Sequence, residues 1–400
     1  MILKNKGTIS KKITTLYGDI EFSRTQLVPV DNDNLSTLLS LTGSKSVYPL
    51  DCYLGIDKLP FKITVKMMVA ITKEAVRAAS YKRASDSILQ HYGVSIGDDT
   101  VRKVTDFVGG IVFQDDKNRA EKALENQSVP IDKRKIHKRK TDILYIEMDG
   151  AMVNTRIQVD GTSWRECKIA IAFLSEDLKS WTTRKGDTRR QILDKRLIGF
   201  IGNCHDFEAY VLALAERYDY RTRNQVVVVS DGADWIQKLV EKAFPKAIHI
   251  LDLSHLKEHI GTFGHFICKS DEEARLWIDE TIALVEDSNL TALIDRLKPY
   301  EKTKCPPNVL NLYTYVSNHQ KCMDYKMYRE NGYFVGSGAS ESANKYTMQD
   351  RMKLQGMRWK TATAQTMLSL KSRIESGCWK EVEALVDKHC KPKAKTVEDS

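Results

Sequence analysis

The chain has 400 residues, of which 42% are hydrophobic and 8% aromatic, so it can build a sizeable core and more than one domain. Its formal net charge of +9 favours a polyanionic partner. No signal-peptide segment opens the chain and no apolar run approaches the roughly 18 residues of a membrane span, so we expect a cytoplasmic protein with no membrane partner. The eight cysteines include no Cys-x-x-Cys pair, which argues against a structural zinc site.

The N-terminal part changes its periodicity near residue 60. Apolar and polar residues alternate before that point, as in Thr14–Pro29, and predict a small β-rich segment over residues 1–60. From Phe61 the apolar spacing becomes helical, for example in Val65–Ser80. We therefore predict a helical domain over residues 61–125.

Within that domain, residues 81–109 have the spacing of a helix-turn-helix. Ala84, Ile88 and Leu89 form the apolar stripe of a first helix, and Asp98 or Asp99 would cap a second one. Arg102 and Lys103 would lie on the exposed face of that second helix, which enters the major groove in the DNA-binding version of the motif. An ordinary pair of packed helices is the alternative interpretation.

A basic segment follows the helical domain. The stretch Lys133–Lys140 contains six Lys or Arg residues in eight positions, and we interpret residues 126–140 as a basic linker. A linker of this charge is either solvated or an arm that contacts phosphates.

An α/β pattern begins at residue 141 and continues to residue 257. Strands are predicted over 142–148, 157–160 and 168–173, and the turn chemistry of Asp160–Thr162 implies an antiparallel start to the sheet. A helix over 205–218 precedes the valine strand of 225–230, and a further strand runs into a helix after Ala247. Residues 258–330 are polar and helical in pattern.

Two apolar strands of this region each end in Asp-Gly, at Asp149 and at Asp231. Carboxylates held at a sheet edge are the oxygen ligands that Mg²⁺ prefers, and paired metal ions catalyse in-line phosphoryl transfer. Glu341, after a glycine-rich loop, is the third candidate ligand, and Glu147 is a reserve ligand because it faces the same side of its strand as Asp149. We therefore expect Mg²⁺, with Mn²⁺ as a substitute.

Each of these carboxylates also has a structural interpretation. Asp231 could cap the helix that starts near Trp235, and Asp149-Gly150 could be a plain turn. Glu341 could favour its helix N-terminus through the macrodipole.

The C-terminal part is a loop that leads into a basic helix. Residues 331–385 contain the segment Tyr333–Trp359, in which Glu341 is followed by the basic residues Lys345, Arg351 and Arg358. This combination suits a site that handles polyphosphate, and these cations are candidate DNA contacts. Residues 386–400 are polar and predicted to be a flexible tail.

Three blocks together resemble a known family. They are the strand with Asp149-Gly150, the strand with Asp231-Gly232-Ala233, and the long segment Gly336–Trp359. They look like the three blocks of a DDE transposase from bacterial insertion sequences of the ISKra/ISLre type, relatives of the Mutator-like group. The resemblance covers residues 40 to 380 and includes an Asp-x-x-His element, here Asp252 and His255.

The resemblance implies an α/β fold with an RNase H-like mixed-sheet catalytic core, in which residues 258–330 form an all-helical insertion. Asp149, Asp231 and Glu341 would be the catalytic, metal-binding triad, with Asp252 and His255 supporting the active site. The partners would be double-stranded DNA, as terminal inverted repeats and target, and a second copy of the chain in a homodimer or larger assembly. Such a bacterial protein would associate with the nucleoid, and Trp277 in the insertion would stack on an extruded base unless it is a core residue.

Two other functions stay open. The first is a transposase-derived DNA-binding protein without catalysis. The second is a phosphatase of the haloacid-dehalogenase type, because Glu147–Thr155 resembles the nucleophile loop of that family. This chain has Glu147 where that family has its aspartate nucleophile.

Overall fold

The computed structural model describes residues 1–57, 59–125, 143–156, 161, 163–184, 186, 188–336 and 338–391. The predicted basic linker over 126–140, the predicted strand over 157–160 and most of the predicted turn at Asp160–Thr162 lie outside the described residues.

The N-terminus is a long antiparallel hairpin of β1 (Leu3–Thr15) and β2 (Gly18–Pro29). The predicted β-rich segment was wrong beyond this hairpin, because α1 (Asn32–Thr42) and α2 (Pro49–Tyr53) follow it. Asp31 caps α1 by accepting a hydrogen bond from the backbone N–H of Asn34, so a local capping signal ends the strand pattern.

Three packed helices follow: α3 (Val65–Arg77), α4 (Tyr81–Tyr92) and α5 (Asp98–Leu124). The N-cap of α5 is Gly97, and Asp98 and Asp99 lie in its first turn instead of capping it. Helix α5 continues to Leu124 because its buried stripe, which begins at Val101, extends through Asp116 to Ala123. Leu89, assigned to the apolar face of α4, is 52% exposed.

A five-stranded sheet lies at the centre of the molecule. Its strands are β3 (Ile143–Asn154), β4 (Trp164–Leu174), β7 (Arg196–Ile201), β8 (Gln225–Ser230) and β9 (Ile248–Leu251). Their order across the sheet is β7-β4-β3-β8-β9. Strands β3, β4 and β7 pair antiparallel, whereas β8 and β9 continue the sheet in parallel with β3. The hairpin of β5 (Leu178–Thr182) and β6 (Thr188–Ile192) is a separate sheet. The prediction of a mixed α/β fold is confirmed at this level.

Helices cover both faces of the central sheet, so its strands are buried from both sides. On one face, Leu144 and Val228 pack with α6 (Cys204–Glu216) and α7 (Asp234–Ala243). On the other face, Ile169 and Leu197 belong to the core that includes α14 (Thr361–Glu375). This two-sided burial explains why the amino-acid sequences of the strands are nearly continuous apolar runs.

A helical segment is inserted between β9 and the C-terminal helices. It consists of α8 (Leu253–Ile267), α9 (Asp271–Glu286), α10 (Leu290–Leu297), α11 (Leu312–His319) and α12 (Tyr325–Glu330). We call the part over residues 258–330 the helical insertion. Its own apolar contacts include the rings of Phe263, Trp277 and Tyr300.

The C-terminal part is made of several short elements. Helix α13 (Gly338–Ala343) passes into a π-helical turn over Asn344–Gln349 and a last α-turn over Asp350–Met352. Helices α14 and α15 (Trp379–Cys390) follow, and Val386 and Cys390 are buried, so the predicted flexible tail was wrong for residues 386–390. Among the described residues, no helix is long and apolar enough to cross a membrane.

Candidate metal centre

The parallel pairing of β3, β8 and β9 ends at one level of the sheet, and an aspartate follows the last paired residue of each strand. Met148 lies opposite Ser230, and Ser230 lies opposite Leu251. Asp149, Asp231 and Asp252 therefore emerge at the same edge of the sheet, where the backbone N–H of Asp252 donates to the Ser230 carbonyl over 2.8 Å. The sequence predicted this convergence only for the first two aspartates as strand-end ligands.

The structure corrects one detail of the first strand. Strand β3 does not end at Asp149 but continues to Asn154 along β4, with Asp149 opposite Ile169. Only the parallel pairing with β8 stops at Met148. Gly150 allows a close approach in this continuation, because a Cβ there would lie 2.6 Å from an oxygen of Glu166.

Asp149 is half-buried, and its carboxylate interacts electrostatically with that of Asp231. Burial raises the pKa of Asp149 to about 6, and the negative charge of Asp231 contributes to the increase. Two donors stabilise the carboxylate: the N–H of Gly150 at 2.6 Å from Oδ1, and the side-chain amide of Asn344 at Oδ2. The site thus holds two carboxylates whose mutual repulsion a cation would relieve.

Asp231 is fixed both by its own turn and by the helical insertion. Its Oδ1 accepts a hydrogen bond from Ala233 N over 3.0 Å, so the capping interaction considered from the sequence is partly formed, although the N-cap of α7 is Ala233. Tyr315 Oη donates to the Asp231 carbonyl over 2.6 Å, and His319 Nε2 lies 2.9 Å from the Gly232 carbonyl.

Gly232 makes this tight turn possible. Its φ is +82°, and a Cβ would lie 2.7 Å from Leu251 and 2.8 Å from Tyr315 Oη. The Asp-Gly pair at the end of β8 is therefore required by packing as well as by backbone conformation.

Asp252, His255 and Glu341 form a cluster with metal-ligand geometry. One ligand atom from each lies within 4.8 Å of the others. Asp252 caps α8 through the N–H groups of Ser254 and His255, and its Oδ2 lies 3.3 Å from His255 Nδ1. Asp252 is the main cause that raises the pKa of His255 to about 9, and the charges of Asp231 and Glu341 contribute to the same increase, which brings all of these groups into one electrostatic site.

The donor set fits a divalent cation. Carboxylate oxygens suit Mg²⁺ and Mn²⁺, and an imidazole nitrogen suits first-row transition metals. Because this cluster includes the imidazole of His255, it matches Mn²⁺ better than an all-oxygen site would. Glu341 is exposed, so the cluster is open to a substrate on that side.

Glu147 lies beneath the site and not in it. Its side chain is completely buried, and its Oε2 accepts a hydrogen bond from Ser340 N over 2.8 Å. Burial raises the pKa of Glu147 to about 8, and the charge of Asp252 adds to the effect. Glu147 therefore contacts the backbone next to Glu341, and its complete burial does not favour the reserve-ligand interpretation, which stays a prediction.

Arg102 and Lys103 lie on the accessible side of α5, but both side chains form ion pairs with carboxylates. Arg102 pairs with Asp99 at 2.7 Å and with Asp106 at 3.2 Å, and Lys103 pairs with Asp99 at 2.7 Å. The opposite face of α5 packs against α3, α6 and α14. Insertion of this helix into a DNA groove stays a prediction.

The other candidate DNA contacts have different environments. Lys345 and Arg358 are exposed, whereas Arg351 is buried. Trp277 is half-buried in the helical insertion, with its ring centroid 6.0 Å from that of Phe263 and 5.3 Å from the guanidinium of Arg296. This placement agrees with the alternative that Trp277 is a core residue.

Sequence reasoning missed three residues that organise the centre: Asn344, Tyr315 and His319. Asn344 follows Glu341 by three residues, a helical spacing that could have pointed to the same face. Tyr315 and His319 are four residues apart on α11, but the sequence carries no signal that this helix packs against the Asp231–Gly232 turn.

A family model described as Uncharacterised protein family (UPF0236) matches residues 2–388. No curated protein matches the chain. The matched region contains every residue of the metal centre.

Proposed function

This chain belongs to the UPF0236 family, and we propose that it is a metal-dependent DNA transposase of the DDE type with Asp149, Asp231 and Glu341 as its catalytic residues. One observation carries the proposal: carboxylates from distant parts of the chain converge on a single cation-attracting site at the carboxyl edge of the sheet. Asp252 and His255 complete that site.

The fold supports the proposal. A sheet with an antiparallel start and a parallel end agrees with an RNase H-like core. Asp231 and Glu341 are 110 positions apart (341 − 231), too far for a direct connection from a strand to the next helix, and the helical insertion supplies most of this separation. The net charge of +9 suits a DNA partner.

The residues of the centre have separable roles in this mechanism. Divalent metal ions, when bound, would activate the attacking oxygen and stabilise the leaving oxygen of an in-line displacement. Asp149 and Asp231 would hold them, and Glu341 would complete the ligand set. Gly150 N and Asn344 orient the Asp149 carboxylate, whereas Tyr315 fixes the Asp231 backbone.

Two reactions would use this centre. In the first, a water oxygen bonds to phosphorus at the element's end and the 3′ oxygen leaves as a hydroxyl. In the second, that 3′ hydroxyl attacks a phosphodiester of the target DNA and displaces its 3′ oxygen. Two element ends have to be joined, so a homodimer is the smallest working assembly.

The phosphatase alternative has less support. Its nucleophile would stand at the position of Glu147, which is fully buried and engaged with Ser340 N. A carboxyl group in that environment is not accessible to a phosphate ester.

The test is a cleavage assay with purified protein and DNA that carries the sequences flanking the gene, in Mg²⁺ or Mn²⁺. Wild type is compared with Asp231→Asn and with Asp234→Asn, a matched control because Asp234 is exposed in the first turn of α7. We expect metal-dependent cuts at the element's ends from wild type and the control, and none from Asp231→Asn.

Two other outcomes would reject the proposal. Equal cleavage by wild type and Asp231→Asn would make Asp231 only a turn residue. DNA binding without cleavage by any protein, in either metal, would favour the transposase-derived binding protein.

A further inference from the structure

A second polar site lies where α4 and α5 meet the segment 351–360. It is a cleft of about 460 Å³ whose lining includes five cationic side chains, and we call it the arginine cleft. These side chains are Arg102, Arg156, Arg351, Arg358 and Lys360. None of them is a ligand of the metal centre described above.

Arg351 forms the floor of the arginine cleft and is only 2% exposed. Its guanidinium lies 4.8 Å from the ring centre of Tyr81 and 5.1 Å from that of Trp359. Nε donates to the Ala75 carbonyl over 3.2 Å, but Nη2 has no hydrogen-bond partner among the described residues. A buried donor without an acceptor costs roughly 1–3 kcal/mol, so the floor of the cleft carries a cation whose hydrogen bonds are incompletely satisfied.

The arginine cleft is built on a fixed framework. Trp359 N donates to the Asn154 carbonyl over 3.1 Å, and Arg156 N donates to the Trp359 carbonyl over 2.8 Å. The indole N–H of Trp359 donates to the Met352 carbonyl over 3.0 Å. The end of β3 thus holds both the ring that stacks on Arg351 and the backbone of Arg156.

The charge of the cleft favours an anion. Of the five cations, Arg102 is paired with carboxylates, those of Asp99 and Asp106, neither of which lines the cleft. Arg358 and Lys360 are exposed, and the buried guanidinium of Arg351 makes no carboxylate ion pair among the described residues. A planar guanidinium presents donors in the geometry that a phosphate accepts.

We propose that the arginine cleft binds a backbone phosphate of DNA, apart from the metal centre. The identity of the polymer rests on the proposed function, whereas the preference for a phosphate group rests on the cleft itself. The exposed Arg358 and Lys360 would contact the phosphate, and the positive charge of the buried Arg351 guanidinium beneath them would attract it.

The experiment measures binding of a 30-base-pair fluorescein-labelled duplex to the full chain by fluorescence anisotropy in EDTA, over a series of salt concentrations. The variants are Arg351→Gln and Arg358→Gln, with Arg275→Gln as the control because Arg275 is exposed on α9, away from the cleft lining. We expect Arg358→Gln to bind about 5–10-fold more weakly and to lower the salt slope by about 0.9, the value for one lost phosphate contact, while the control matches wild type.

Arg358 is exposed, so its variant tests the proposal even if Arg351→Gln fails to fold, which circular dichroism would reveal. An Arg358→Gln variant with the affinity and salt slope of the control would overturn the proposal. Saturable binding of inorganic pyrophosphate to wild type that is lost in Arg358→Gln, with the duplex bound equally by both proteins, would assign the cleft to free phosphates and overturn the DNA assignment. No metal is present, so the result does not depend on whether the chain cleaves DNA.

Discussion

The surroundings of Asp149 include groups that destabilise the ionised carboxylate and groups that stabilise it. Burial and Asp231 raise its pKa to about 6, while Gly150 N and the Asn344 amide stabilise the ionised form. A metal ligand has to be ionised, so metal-dependent cleavage should fall as the pH decreases through about 6. Asp149 is therefore the group of this site whose protonation we expect to set the acid limb of the pH profile.

Replacement of Asn344 by Leu should shift that acid limb. The variant keeps the side-chain volume but loses a donor to a charged acceptor, an interaction of about 1.5 kcal/mol, which corresponds to roughly one pH unit. We expect the cleavage rate in Mn²⁺ to reach half its maximum at about one pH unit higher. Gln349→Leu, an exposed position on the same π-helical turn, is the control. An unchanged acid limb in Asn344→Leu would mean that this amide does not stabilise the Asp149 carboxylate.

Glu147 should make stability depend on pH in the opposite sense to an ordinary carboxylate. Its pKa is about 8 in the folded protein against 4.5 ordinarily, so between these values the folded state binds a proton that the unfolded chain does not. The free energy of unfolding should therefore decrease as the pH rises through that window.

Glu147→Gln removes this titration. Between pH 5 and pH 8 in EDTA, wild type should lose about 3 kcal/mol more stability than the variant, as measured by guanidinium unfolding. Glu272→Gln, on the exposed side of α9, should follow wild type. Parallel curves for wild type and Glu147→Gln would show that the buried carboxyl does not titrate in this range.

At the scale of elements, a buried ion pair joins two helices from opposite ends of the chain. Arg373 on α14 contacts Asp116 on α5 at 2.5 Å, and both side chains are about 3% exposed. Removal of Arg373 leaves the buried Asp116 carboxylate without this cation, whereas Arg373 also lies 3.4 Å from Asp115 and 3.6 Å from Glu381. The pair therefore makes the packing of the N-terminal helices on the core sensitive to a single substitution.

Arg373→Met should destabilise the protein by about 3–5 kcal/mol in equilibrium unfolding, whereas the double variant with Asp116→Leu should recover much of that loss. The exposed pair of Lys82 and Asp86 provides the control, because Lys82→Met should cost less than about 1 kcal/mol. Additive effects of Arg373→Met and Asp116→Leu would contradict the coupling.

Local periodicity predicted the elements whose burial repeats along the chain, such as α3, α4, α6 and β8. It failed where distant contacts override a local signal. Asp149-Gly150 has turn chemistry, yet β3 continues because β4 pairs with it as far as Asn154. The burial of Asp116 has no local signal in the sequence because its partner Arg373 lies 257 residues away.

The same distinction applies to the candidate site. Asp149, Asp231 and Glu341 could be proposed because each follows a recognisable strand or loop. The buried state of Glu147 and Arg351 could not be predicted, because it depends on α13 and α3 packing above them.

At the scale of the whole molecule, the metal centre joins segments that are far apart in sequence, from Asp149 to Glu341. A cation that binds the folded chain and not the unfolded one stabilises it by about 2.7 kcal/mol at 100 times its dissociation constant. Mn²⁺ should therefore raise the melting temperature of wild type, and EDTA should reverse the increase. Asp231→Asn should lose most of this shift, whereas an equal shift in both proteins would place the bound Mn²⁺ elsewhere.

The continuation of β3 past Asp149 connects the metal centre to the arginine cleft by one extended segment that ends at Arg156. Seven residues of strand span at most roughly 23 Å, about the axial length of seven base pairs. If both sites bind one duplex, the length of this strand sets the distance between the phosphate bound in the arginine cleft and the phosphodiester that lies at the metal centre. A single-residue insertion would turn the alternating side chains to the wrong face, so this spacing could change only in steps of two residues, or about two base pairs.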